Sequence, residues 1–177
     1  MPRIPYVPED IAQPAHVVDA IRKRRGGKLI NLDRQLLHSP VVAGGWNIYM
    51  GAIRTQLTLE PKLREIAMCV VAMLNGAEYE FHHHAPELLK EGGTQAQVDA
   101  LRDPDAAITS DGIFAVQELA CIELTVEMTR HVKVSDATFA AMRKHLTDQT
   151  MVELITVIAA YNMVSRFLVA LDIQPES

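Results

Sequence analysis

Three consecutive histidines, His82, His83 and His84, follow Glu78-Tyr79-Glu80-Phe81 directly after one of the most apolar runs in the chain. If this stretch is helical, Glu80 and His84 lie four residues apart and share a face, with Ala77 one turn before Glu80. A carboxylate beside an imidazole is a proton-transfer pair. The glutamate orients the ring and raises its basicity, and a histidine with an ordinary pKa of roughly 6.5 exchanges its proton at neutral pH. Glu65 is a third candidate, because it stands at the start of the run Ile66 to Leu74. A carboxylate buried there must find a partner or take up a proton.

The neighbouring polar and aromatic residues carry two readings each. Tyr79 can donate its phenol to a substrate oxyanion, or pack as an amphipathic ring at a helix interface. His82 and His83 sit about 100° apart around a helix, so at most one can share the Glu80/His84 face closely. His83 is retained as a substrate-binding candidate. Trp46 and Tyr49 in "GGWNIYMG" can line a pocket from the preceding helix, although Trp46 equally suits the core. Tyr161, Asn162 and Arg166 place polar groups on an apolar terminal helix, where a pocket, a core network or a subunit interface would each satisfy them.

A metal site is the competing chemistry. Glu80 to His83 has the Glu-x-x-His spacing used by di-iron bundles, but such sites need a second copy. No second copy occurs: Glu127 to His131 is one residue longer, and Glu118 and Glu123 would have to converge from the same helix. A mononuclear site from His83 or His84 with Glu80 remains as the alternative. The favoured expectation involves neither metal nor cofactor.

The elements that must position these residues read as helices. Apolar residues recur at three- and four-residue spacing, which predicts an all-α protein. A Pro-rich arm leads into a helix from about Glu9 to Arg25, stopped by Gly26-Gly27, and a short helix at "LDRQLLHSP" follows. Ser39-Pro40 is a cap and first-turn pair for a helix over about Val41 to Gln56. Pro61 starts the next helix, whose continuous apolar run predicts burial on all sides. Asn75-Gly76 closes it, and a helix from Ala77 to about Glu91 follows at once, stopped by Gly92-Gly93. Thr94 caps a short helix. An exposed loop is expected around "DPDAAITSDG". Long helices over about Ile113 to His131 and Thr150 to Leu171 flank a short one capped by Ser135. Two- and three-residue breaks between helices predict a compact antiparallel helical bundle.

Composition bounds the function. At 177 residues the chain suits a single domain, with residues 1–40 an arm and lead-in helices. A net charge of −5 with no long basic run gives no footprint for nucleic acid or an anionic membrane. The N-terminus has prolines and acids where a secretory signal needs a basic start and an apolar stretch, and no apolar run reaches about 18 residues. A cytoplasmic protein is expected. Cys69 and Cys121 both fall in apolar helical patterns and fit buried small hydrophobes rather than a disulfide.

The stretch "PKLREIAMCVVAMLNGAEYEFHHHAPELLKEGG" resembles the carboxymuconolactone decarboxylase and alkylhydroperoxidase D-like superfamily. The resemblance covers Leu59 to about Leu101, and extends more weakly to "ELITVIAAYNMVSRFLVALDI". In the peroxidase branch, a glutamate precedes Cys-x-x-Cys, and a histidine stands four residues after the second cysteine. Glu65 falls at the glutamate position and His84 at the histidine position, while Ala77 and Glu80 occupy the places of the two cysteines. The resemblance thus carries a peroxiredoxin label for the family, but this chain lacks both thiols of that mechanism. "EYEFHHH" is similar to a cysteine-free Glu-Tyr-Glu-aromatic-x-x-His subgroup. By resemblance to the decarboxylase branch, the chain is expected to be a cofactor-independent lyase or isomerase acting on a small lactone, organic acid or related carbonyl compound. Glu65, Glu80, His84 and Tyr79 would form its site, in a homo-oligomer (dimer, trimer or hexamer). The competing expectation is a non-catalytic helical scaffold or small-molecule-binding protein.

Overall fold

The computed structural model describes residues 1–176, and among them only helices occur as regular elements. Residues 58–167 form one compact unit, and the described residues on either side form another.

The flanking unit holds α1 (Ala15–Arg24), α2 (Asn31–Leu36) and α3 (Pro40–Thr55). α1 begins later than the expected Glu9, with Pro14 at its N-cap. The reason lies in Pro14 itself, which biases the residue before it away from helical geometry. α3 starts after Ser39 as the Ser-Pro pair predicts, but the Ser39 side chain makes no capping bond. Within this unit the buried Asp33 carboxylate is held by Arg25 at 3.0 Å.

The unit spanning 58–167 is built around α4 (Pro61–Leu74), which packs on α5 (Glu78–Lys90) and α8 (Val116–His131). Pro61 occupies the first turn of α4, where its missing N–H costs nothing. From Ile66 to Ala72 every residue of α4 is buried, as the continuous apolar run requires. Each large side chain there contributes about 1.5–3 kcal/mol of transfer free energy. Gly76 ends the helix at φ +66°, a left-handed conformation that a side chain would strain, and the Ala77 amide closes on the Ala72 carbonyl at 2.8 Å. This tight reversal folds α5 back along α4.

α6 (Gln95–Ala100) is capped by Thr94, whose side chain accepts from the Gln97 amide. The segment expected to be an exposed loop instead contains α7 (Pro104–Ile108). Asp103 accepts from the Ala106 amide at 3.1 Å, Pro104 fills the first turn, and Ala107 is buried, with α7 packed against α8. The polar letters of this segment are a cap and a first turn rather than a loop. α9 (Asp136–Arg143) follows with Ser135 accepting from the Thr138 amide.

α10 (Asp148–Leu171) contributes its residues up to Phe167 to this unit. By length and composition it is apolar enough to cross a membrane, which the sequence reading did not anticipate. Within the unit its face of Met151, Leu154, Val157, Ile158, Tyr161 and Val164 is buried, which accounts for much of that apolar character. Glu153 anchors the chain leading to α4, accepting from the Leu59 amide at 2.7 Å and the Thr58 amide at 2.9 Å.

Candidate active site

Glu65 on α4 and Tyr79, Glu80 and His84 on α5 are all buried. His84 Nδ1 lies 2.6 Å from Glu65 Oε2. With the carboxylate ionised, Nδ1 donates and Oε2 accepts, so proton exchange falls to Nε2. Arg64 Nε donates to the other oxygen, Oε1, at 3.3 Å, placing a guanidinium against the same carboxylate. The Tyr161 ring meets His84 edge-on, with centroids 4.9 Å apart. The imidazole is therefore held by a carboxylate on one side and an aromatic ring on another.

The expected orienting contact from Glu80 to His84 is corrected by this geometry. Both Glu80 carboxyl oxygens are buried and neither has a hydrogen-bond partner. Helical spacing puts Glu80 and His84 on one face, but Glu65 takes the ring nitrogen from the packed helix opposite. Burial pushes the Glu80 pKa well above the usual carboxylate range, which favours its protonated form.

The Tyr79 ring is tilted against His83, with centroids 4.6 Å apart, and His83 meets His82 edge-on at 5.4 Å. His83 is half-buried and His82 exposed; Tyr79 and His83, four residues apart, form a second row on α5 beside the Glu80/His84 row. Asn162 is drawn into a polar network: its Nδ2 donates to Thr129 Oγ1 at 3.0 Å, while its Oδ1 accepts from Asn75 at 3.1 Å and from Arg166 at 2.6 Å. That network ties α8, α10 and the end of α4 together. Trp46 is half-buried and Tyr49 exposed, both on α3 in the other unit. Among the described residues no group of three or more His, Cys, Asp and Glu is arranged to hold a metal ion.

Cys69 is a neighbour that reading the sequence for histidines and glutamates missed. It stands one turn after Glu65 on α4, fully buried as a free thiol, and its pKa is raised by burial and further by the nearby carboxylate of Glu65. The four-residue spacing from Glu65 was the available signal. Cys121 is also a buried free thiol, pushed up to about 12 mainly by burial. Thiolate chemistry is disfavoured at both.

Residues 40–120 match the carboxymuconolactone decarboxylase family. No curated relative matches the sequence. Among solved structures, an uncharacterized peroxidase-related protein with an alkylhydroperoxidase AhpD core from Ralstonia eutropha JMP134 superposes with a TM-score of 0.84 at 20% identity, over 99% of this chain and 93% of that one. An uncharacterized peroxidase-related protein from Silicibacter sp. TM1040 gives a TM-score of 0.81 at 15% identity, over 99% and 92% of the two chains. The debrominase Bmp8, in complex with 2,3,4-tribromopyrrole, gives 0.78 at 15% identity, over 97% and 90%. These likenesses establish a shared helical fold. The family match spans the residues that carry Glu65, Glu80 and His84, and with the shared fold it supports kinship with the carboxymuconolactone decarboxylase and alkylhydroperoxidase D-like superfamily.

Proposed function

We propose that this protein is a cofactor-independent acid-base enzyme that moves a proton at the carbon next to a carbonyl in a small lactone, organic acid or related compound. The observation that carries the reading is the buried 2.6 Å contact between His84 Nδ1 and Glu65 Oε2. In this reaction His84 Nε2 accepts the proton, and the Glu65 carboxylate stabilises the imidazolium that results. The same pair run in reverse protonates the carbanion left by loss of CO2, so isomerisation and decarboxylation draw on one device. The family match over residues 40–120 supports a small-molecule substrate, and the absence of Cys-x-x-Cys sets aside the peroxidase branch's thiol cycle. A homo-oligomer is part of this proposal: Val152, Ala159 and Met163 leave an exposed apolar strip on α10, bordered by Arg166, that suits burial against a second copy.

The test is a panel of γ-lactone acids and β-keto acids followed by NMR with the wild-type protein and His84→Ala. The reading expects turnover of at least one class, lost in the variant while the helical circular dichroism spectrum is kept. Turnover that survives His84→Ala contradicts it.

A further inference from the structure

Among the described residues, the buried carboxyls are those of Asp33, Glu65, Glu80 and Glu118. Three of them are satisfied. Asp33 accepts from Arg25, Glu65 from Arg64 and His84, and Glu118 from Gln97 and the Ala115 amide at 2.9 Å, with Lys62 Nζ 2.6 Å away. Glu80 alone has no partner at either oxygen. Leucine or methionine would fill an apolar site on this helix without burying unpaired polar atoms. An orphaned acid one turn before His84, on the same face, is therefore accounted for by a group that arrives with the ligand.

The identity of that group follows from charge. No cation is paired with Glu80, Glu65 nearby is the carboxylate that holds His84, and burial keeps the Glu80 proton in place. A neutral carboxylic acid offers a strong O–H donor, and such donors are most effective against an oxygen on which negative charge develops. A ligand carrying a fixed carboxylate at this point would add uncompensated charge beside Glu65. An enolate does not. When His84 Nε2 removes the proton on carbon, the C–H electron pair moves through the carbonyl carbon onto oxygen. The imidazolium and the enolate then appear together, and the net charge of the site is unchanged.

We propose that Glu80 is an uncharged catalytic acid that donates a hydrogen bond to the enolate oxygen of the substrate, so that the site takes ligands presenting an enolate or phenolate oxygen. This deepens the proton-transfer reading and rests on it, but its test does not need turnover.

The probe is 4-nitrophenol, whose neutral and anionic forms absorb at different wavelengths. It is titrated into the 177-residue protein, Glu80→Gln and Glu80→Leu, each first checked for a cooperative melt. The expected result is binding as the phenolate, weakened about threefold to tenfold by Glu80→Gln, which keeps a poorer donor, and more than tenfold by Glu80→Leu. If the leucine variant does not fold, the glutamine variant decides alone. No binding, binding as the neutral phenol, or affinity unchanged by Glu80→Gln each overturns the proposal. Phenolate binding that depends on Glu80 in a protein that turns over no carbonyl compound removes the enzymatic reading, and with it the catalytic role of Glu80, and leaves the oxyanion-binding site. Turnover that needs His84, with binding indifferent to Glu80, removes this inference alone.

Discussion

His84 Nδ1 and Glu65 Oε2 lie 2.6 Å apart between side chains 19 residues apart in sequence, joining α4 to α5 inside the core. A contact this short between an imidazole N–H and a carboxylate fixes the ring and stabilises its charged form. Glu65→Gln keeps an oxygen to accept from Nδ1 but removes the charge. Turnover in that variant is expected to fall about 10²- to 10⁴-fold, with little change in KM. Steady-state kinetics on whichever carbonyl substrate is turned over, alongside a thermal melt, check this.

Glu80 gives stability a pH dependence of known sign. Its folded-state pKa is raised well above 4.5 by burial, so between that unfolded-like value and the folded pKa the native state retains a proton that the unfolded chain releases. Stability therefore falls as pH rises through this window. Glu80→Gln removes the effect. The variant is expected to be more stable than wild type at pH 8, and the difference should shrink toward pH 4.5. Urea denaturation at a series of pH values measures it.

Both cysteines should be silent in the native state. Cys69 and Cys121 are buried with raised pKa values, so neither presents a thiolate to solvent. A chromogenic disulfide reagent at pH 8 is expected to label neither thiol on mixing and both after denaturation. Rapid labelling of the native protein would place one of them at an open surface.

Glu118 is the contrasting carboxylate, because its partners are all structural. It joins Lys62 at the start of α4, Gln97 on α6 and the Ala115 amide before α8. Glu118→Ala is expected to destabilise by about 2–4 kcal/mol, since it leaves donors without their acceptor. Turnover per folded molecule should stay within about twofold, read by kinetics below the melting transition.

Much of this fold is legible locally. Pro61, Gly76, Thr94 and Ser135 each act within a few residues of where they stand, and the helix starts and stops they predict are present. The segment around Asp103 misleads because the same residue types make both loops and caps, and only the burial of Ala107 against α8 separates the two. The candidate residues were also legible as a set, from the glutamates and histidines alone. Their pairing was not. Glu80 and His84 are neighbours by helical spacing, whereas Glu65 reaches His84 only once α5 has folded back on α4. A non-local contact of that kind decides which carboxylate is charged and which holds a proton.

The claim that the Glu65–His84 pair moves a substrate proton is tested most directly by solvent deuterium exchange. Small γ-lactone acids and β-keto acids are incubated in D2O with the wild-type protein or His84→Ala, and loss of the proton next to the carbonyl is followed by NMR. The account predicts protein-catalysed exchange with at least one of these classes, absent in His84→Ala and strongly slowed in Glu65→Gln. Exchange no faster than in buffer across the panel, or equally fast in His84→Ala, would contradict it.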